Sequence, residues 1–154
     1  MEKEFINGIY LSYQNAKDLY EEAQILEKYQ KTSRAYCLYH LSLEECGRFH
    51  ILYNFFSEFI HGEINAKDFN YGALRKRGYE DHQLKIKENF EGIYKITYIT
   101  LAISKSNTNP NIFQEDYKDE IEEITKAYEA TLKIKDELNG LKNKSLYITY
   151  NNNK

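Results

Sequence analysis

Residues 35–60 read AYCLYHLSLEECGRFHILYNFFSEFI, and this stretch decides the fold. A set of mostly apolar side chains recurs at every third or fourth position, which is the period of an amphipathic helix, and forms one stripe along it. The side chains on it become large and aromatic toward its end, so this helix is predicted to be the most buried in the protein. We expect Thr32 or Ser33 to cap its start and Gly62 to end it. The stripe comprises Ala35, Leu38, Ser42, Cys46, Phe49, Leu52, Phe56 and Ile60.

Three further runs have the same helical period. They cover residues 9–29, 80–105 and 113–140, with Gly140 as the predicted end of the last one. Residues 62–79 lose the periodicity and predict a loop with room for one short helix, and residues 106–111 predict a break at Pro110. Only residues 145–150 alternate as a strand would. The pattern predicts an all-α bundle of about four long helices plus short helical segments, as one domain over residues 1–154.

Composition limits the class of protein. Of 154 residues, 42% are apolar and 29% charged, which is typical of a folded soluble domain. No apolar run is long enough to span a membrane, and the acidic, polar N-terminus does not resemble a secretory signal, so we expect a cytoplasmic protein. Cys37 and Cys46 lie on one helical run, about 13 Å apart along its axis, and cannot form a disulfide there.

Charge is unevenly distributed along the chain. The net charge of −3 is unlike the broad basic surface of a typical nucleic-acid binder. Residues 75–87 nevertheless hold five Lys or Arg against two acids, whereas residues 115–129 hold seven acids against two lysines. Such polarity either focuses one small anionic ligand site or reflects two solvated helix faces.

Residues 75–85, RKRGYEDHQLK, join basic side chains to a histidine. A guanidinium can hold a phosphate and stabilise charge that builds on it, and a histidine can move protons near neutral pH. This pairing suits cleavage of an RNA phosphodiester without a metal ion. The alternative interpretation is a solvated basic loop.

Other polar clusters are less informative. Glu58-x-x-His61 is half of a di-iron motif, but the chain has no second Glu-x-x-His, so we discard a metal site. Glu45 lies at the border of the apolar stripe, where it either orients an arginine or histidine across the bundle or is simply exposed, and exposure is the favoured interpretation. We expect His40 and His50 to be surface or packing residues.

Four short motifs, spread over most of the chain, resemble those of AbiV-type HEPN proteins. They are N-A-x-x-L at 15–19, A-x-x-L-x-x-x-S-x-E-E-C-G-R at 35–48, D-H-x-x-K at 81–85 and K-S-L-Y at 144–147. Ser42, Cys46 and Arg48 stand where the family pattern has alanine, leucine and lysine. The resemblance implies an all-helical HEPN fold, usually dimeric, and a role in abortive infection, the phage defence in which a toxin stops growth or translation.

HEPN ribonucleases carry an Arg-x(4–6)-His pattern, which two arginines satisfy here. Four residues separate Arg77 from His82, and six separate Arg75 from His82. Arg77 is followed by Gly78, whereas these enzymes tend to have a polar residue at that position. We favour Arg77 because it can fold back over the N-terminus of the helix that carries His82, where free amides favour phosphate.

The resemblance implies a mechanism with defined roles. His82 takes the proton from a ribose 2′-OH, Arg77 or Arg75 neutralises the phosphate, and Glu45 or Glu44 holds the basic groups. The expected partners are a second copy of the chain and RNA, with a phage-encoded activator or an antitoxin left open, and no metal or cofactor. The alternative is a non-catalytic protein that binds a phage or host factor. The predicted catalytic residues are Arg77, His82 and Glu45, and the supporting ones are Arg75, Glu44, Arg48, Lys85 and Tyr147.

Overall fold

The computed structural model describes residues 2–104 and 118–146, and within these ranges the chain is helical and has no strand. This confirms the predicted all-α class, with four long helices and one short segment. The second helix packs against the first, the fourth and the fifth, and is the centre of the bundle, as its apolar stripe predicts. The helices are α1 (Glu2–Lys28), α2 (Thr32–Ile60), α3 (Tyr71–Lys76), α4 (His82–Ser104) and α5 (Lys118–Leu146).

Small side chains let α1 lie close along α2. Ser12, Ala16 and Ala23 are the buried residues of α1. The hydroxyl of Ser42 on α2 donates a hydrogen bond of 2.7 Å to the carbonyl oxygen of Ala16. A hydroxyl at this point of the stripe therefore stabilises the pair, because its hydrogen bond is satisfied inside the interface.

The apolar core lies at the C-terminal half of α2, and we call it the aromatic cluster: Ile51, Leu52, Phe55, Phe69 and Leu74. Phe69, from the loop before α3, is at its centre. Its ring centroid lies 5.0 Å from that of Phe55 and 4.3 Å from that of Phe5 on α1. Because Phe5 packs here, α1 begins at Glu2, earlier than the predicted residue 9.

The two predicted boundaries of α2 had different outcomes. The residue before the helix is Lys31, and no side chain caps its first amides, so the predicted cap by Thr32 or Ser33 is wrong. At the other end, Gly62 has φ +77° directly after the last turn, which confirms the predicted stop. Cys37 and Cys46 are both free, as their spacing predicted.

Helix α5 continues through Gly140 to Leu146, so the predicted end at Gly140 is wrong. Its last turns are held against α2 by contacts of Lys142, and such tertiary contacts outweigh the low helix propensity of one glycine. The rings of Tyr94 and Tyr128 stack at 4.9 Å and join α4 to α5. The predicted break at 106–111 and the predicted start at 113 lie outside the described residues.

Candidate active site

A tight turn after α3 places His82 at the start of α4. Gly78 has φ +89°, and a Cβ atom there would lie 2.5 Å from the Leu84 side chain, so glycine is required. The Asp81 carboxylate accepts a hydrogen bond of 3.0 Å from the backbone N–H of Leu84 and caps the helix. His82 therefore lies in the first turn of α4, as predicted.

His82 is held by a buried carboxylate. Its Nδ1 lies 2.5 Å from Oε2 of Glu44. The Glu44 side chain is 2% exposed and that of His82 is 60% exposed. A carboxylate can only accept hydrogen bonds, so Nδ1 carries the proton of the neutral ring. The lone pair is then on Nε2, which bonds to no other described residue.

Glu44 has basic neighbours on three helices, and together they form what we call the charged cluster: Glu44, His40, His82, Lys85 and Lys142. On the Oε1 side, Lys142 Nζ of α5 lies at 2.7 Å and His40 Nε2 of α2 at 3.2 Å. On the Oε2 side, Lys85 Nζ of α4 lies at 3.6 Å, beside His82. A fully buried carboxylate needs such partners, because an unpaired one costs several kcal/mol.

The balance of these effects keeps Glu44 ionised. Burial raises the pKa of Glu44, but the nearby His40 ring at 3.2 Å, the hydrogen bonds from Lys142 and His82 and the charge of Lys142 outweigh burial and hold this pKa well below its ordinary value. Glu44 therefore remains a carboxylate at neutral pH. It can fix the tautomer of His82 and stabilise the imidazolium that forms when Nε2 accepts a proton.

Lys85 reaches the charged cluster because α4 and α2 approach very closely. A Cβ atom at Gly47 would overlap the backbone carbonyl of Lys85, so only glycine allows this crossing. The Lys85 side chain is 2% exposed. Burial, together with the like charge of Arg48, lowers the pKa of Lys85 against the opposing effect of Glu44 and Glu45.

Glu45 does not contact the histidine. It is 9% exposed, so the expectation that it is exposed at the edge of the stripe is wrong. Its carboxylate binds Arg48 at 2.9 Å, one turn along α2, rather than a group across the bundle. The Arg48 guanidinium also lies over the ring of Tyr79, 5.4 Å from its centroid. Of the two adjacent carboxylates, Glu44 has the position that was predicted for Glu45.

The two predicted arginines are each paired with a carboxylate other than Glu44. Arg77 makes two hydrogen bonds of 2.6 Å to Glu58, and Arg75 binds Glu80 at 2.7 Å. Glu58 and Glu44 are fourteen residues apart on α2. Their backbones are therefore about 21 Å apart along the helix axis. Within one chain, the structure does not bring the Arg77 guanidinium to His82.

The family model HEPN_AbiV, described as AbiV, matches residues 4–154. The chain belongs to the AbiV family of HEPN proteins. This confirms the resemblance, agrees with the HEPN-like all-α bundle and associates the chain with abortive infection, a defence against phage. Searches of the curated proteins and of the solved structures found no match.

In this AbiV protein, two motifs of the resemblance meet at the charged cluster. Glu44 comes from the motif at 35–48, while His82 and Lys85 come from the motif at 81–85. Arg48 lies one turn from Glu44. Tyr147, the remaining supporting residue, lies outside the described residues.

The sequence interpretation missed two members of the charged cluster, His40 and Lys142. His40 was expected to be a surface or packing residue, yet its side chain is 1% exposed and lies against Glu44. Its spacing of four residues from Glu44 was the available signal. Lys142 is 98 residues from Glu44 in sequence, so no local pattern could indicate it.

Within residues 2–104 and 118–146, no three His, Cys, Asp or Glu side chains are grouped so that they could hold a metal ion. None of the AbiV helices in these ranges has both the length and the apolar character of a membrane span.

Proposed function

We propose that this protein is a phage-defence toxin that cleaves RNA without a metal ion, acts as a homodimer and shuts down translation. The observation that carries the proposal is the solvent-facing ring of His82, held at Nδ1 by buried Glu44. A histidine with one nitrogen anchored and the other open is the arrangement of a general base.

The proposed reaction is an internal transesterification. His82 Nε2 accepts the proton of a ribose 2′-OH, and O2′ forms a bond to the adjacent phosphorus while the bond from phosphorus to O5′ breaks. His82 of the partner subunit, in its protonated form, gives a proton to O5′. The products are a 2′,3′-cyclic phosphate and a 5′-hydroxyl, and no metal ion takes part.

Two arginines are candidates for neutralising the phosphate. Arg48 lies on α2 one turn from Glu44, where it pairs with Glu45 and 30% of its side chain is exposed, and it is the candidate from the same chain as His82. Arg77, the arginine predicted from sequence, is paired with Glu58, about 21 Å along α2 from Glu44. We therefore propose that Arg77 can act on that phosphate only from the partner subunit.

The primary test incubates purified protein with total RNA in EDTA and resolves the products on a gel. We expect cleavage by the wild type and by His61→Ala, and none by His82→Ala. His61 is the matched control, because it is exposed and its ring bonds only to Ser57 among the described residues. Equal cleavage by His82→Ala, or activity that EDTA abolishes and magnesium restores, would contradict the proposal.

Alanine variants identify which arginine neutralises the phosphate. Loss of a group that contacts the transition state should lower the rate by about a hundredfold or more, whereas loss of a positioning charge mainly weakens binding and its salt dependence. If Arg77 acts across the dimer, a mixed dimer of one Arg77→Ala and one His82→Ala subunit should cleave faster than the His82→Ala homodimer but more slowly than the wild type, because it unites one His82 base with one Arg77 and lacks the partner's general acid. If only Arg48→Ala loses rate, Arg48 is the arginine that neutralises the phosphate. Arg75 is proposed to position RNA, so Arg75→Ala should mainly weaken binding.

The homodimer is tested separately by light scattering at micromolar concentration, where we expect about twice the chain mass of 18.4 kDa. A strict monomer would contradict a site shared between subunits.

A second candidate function is non-catalytic binding of a phage or host factor. It is favoured by a solvent-facing apolar stripe on α4, where Ile93, Ile96 and Ile99 are each more than half exposed. Growth arrest in cells separates the two functions. If His82→Ala still arrests growth and Ile96→Asp does not, the protein acts by binding.

A further inference from the structure

Lys142 is a buried lysine close to the C-terminal end of α5. It is 6% exposed, and its Nζ lies 2.7 Å from Oε1 of Glu44. Burying a lysine is costly unless its charge is paired. Its position therefore requires Glu44, and the charge of Glu44 is in turn stabilised by Lys142.

Independent contacts fix the backbone that carries Lys142. The hydroxyl of Tyr36 donates a hydrogen bond of 3.0 Å to the carbonyl oxygen of Leu138, and the Cys37 thiol lies 3.8 Å from the carbonyl oxygen of Lys142. Both contacts join the start of α2 to the last turns of α5. The ammonium group is thus delivered to Glu44 by a docked helix and not by a free side chain.

The two oxygens of Glu44 have different partners. Oε1 lies beside Lys142 and His40, and Oε2 lies beside His82 and Lys85. A carboxylate can rotate about its terminal bond, so a strong partner on one oxygen determines where the other oxygen points. Without Lys142, buried Lys85 would compete with exposed His82 for the whole carboxylate.

We propose that Lys142 is a positioning residue of the His82 site: by fixing Oε1 of Glu44, it presents Oε2 to Nδ1 of His82. This inference rests on the proposed function for its catalytic consequence, although its structural part does not. Lys142 touches no substrate. It acts through Glu44, which keeps the proton on Nδ1 and leaves Nε2 able to accept one.

The test measures the tautomer of His82 by ¹⁵N NMR of the full chain without RNA. We compare Lys142→Met, which removes the charge, with Lys142→Arg, which keeps it. Lys126→Met is the matched control, because Lys126 lies on the same helix and pairs with Glu122 at 2.6 Å, but 71% of its side chain is exposed. The protonated Nδ1 should dominate in the wild type, in Lys142→Arg and in the control, and should fall below half in Lys142→Met.

Cleavage kinetics give a second readout. In Lys142→Met we expect kcat to fall by about ten- to a hundredfold while KM changes little, since a misplaced base slows the chemical step more than it weakens RNA binding. Lys142→Arg should restore most of the rate. Lys142→Gln carries the same tests if the methionine variant does not fold, because its amide still donates a hydrogen bond without the charge.

The outcomes separate the two proposals. A folded Lys142→Met or Lys142→Gln protein with the wild-type tautomer overturns the positioning role, whether or not the wild type cleaves RNA. A shifted tautomer in a protein that never cleaves RNA supports the positioning role and contradicts the ribonuclease. A shifted tautomer with lowered kcat and rescue by arginine supports both.

Discussion

The two halves of α2 stabilise their surroundings in opposite ways. The C-terminal half carries the aromatic cluster, where Phe55 is 1% exposed and packs against the rings of Phe5 and Phe69. The N-terminal half carries the charged cluster, where Glu44 is equally buried but lies among two histidines and two lysines. One helix therefore joins an apolar core to a buried ionic core.

The two clusters differ in how strictly they specify geometry. Apolar contacts are non-directional and many, so the aromatic cluster gains free energy from any close packing. In the charged cluster, the attraction between the ions offsets the free-energy cost of removing them from water only while each partner keeps its position. We infer that the first stabilises the fold and that the second fixes the orientation of one exposed histidine.

The largest loss of stability is expected from Phe55→Ala. Removing a buried phenylalanine leaves a cavity and should lower the free energy of unfolding by about 3–5 kcal/mol. Urea denaturation measures it, with Tyr53→Ala, a ring that is 54% exposed on the same helix, as the control. The control should change stability by about 0.5 kcal/mol or less. Equal losses in the two variants would contradict the position of the core.

A somewhat smaller loss is expected where the two cores meet, at Gly47. The methyl group of Gly47→Ala would overlap the Lys85 backbone, which cannot move aside cheaply, so we expect a loss of about 3 kcal/mol. Gly140→Ala is the matched control, because no atom lies within 4 Å of the added Cβ in a regular helix. Alanine there should stabilise by about 0.5–1 kcal/mol. Thermal unfolding followed by circular dichroism distinguishes these opposite signs.

The charged cluster should make the free energy of unfolding depend on pH in the acidic range. Because the folded-state pKa of Glu44 lies below its ordinary value of 4.5, the unfolded chain binds more protons at low pH. The contribution of Glu44 to the free energy of unfolding is complete above pH 4.5, the ordinary pKa. It is lost progressively as the pH falls from there toward the lower folded-state pKa. Urea midpoints of the wild type should therefore drop between pH 5 and pH 3, and the drop should be smaller in Glu44→Gln.

Glu21→Gln is the control for this pH dependence, since Glu21 makes only an exposed pair with Lys17 among the described residues. An acid response in Glu44→Gln as steep as in the wild type would show that the charged cluster does not couple to folding.

The aromatic half of α2 was more predictable than the charged half. Helical period and side-chain size identified Leu52 as a core residue, but the predicted stripe omitted the buried Phe55, and its last member Ile60 is 59% exposed. The same period cannot decide between two adjacent carboxylates near the border of the stripe. Glu44, not Glu45, faces the bundle because α4 crosses at Gly47 and places Lys85 beside it.

Contacts between residues that are far apart in sequence also limited what could be predicted of the site. The motif at residues 81–85 identified His82 and Lys85, but its pairing with an arginine assumed that residues close in sequence meet in space. Arg77 instead folds toward Glu58 and the ring of Phe55, at the aromatic end of α2. Lys142 enters the cluster from α5, and its contact depends on how that helix docks. Such contacts follow from tertiary packing and leave no local pattern in the sequence.

The smallest effect is expected from a salt bridge outside both cores. Lys126 and Glu122 on α5 lie 2.6 Å apart, as close as Lys142 and Glu44 at 2.7 Å, but 71% and 53% of their side chains are exposed. Water and salt screen an exposed pair, and ordering two long side chains offsets much of its attraction. Lys126→Met should therefore leave the urea midpoint unchanged within error, whereas Lys142→Met should lower it clearly, because it leaves the buried Glu44 carboxylate short of its closest cation. The contrast should persist in high salt, since the buried pair is screened much less. Equal midpoints for the two variants would mean that the charged cluster is as open to water as the surface.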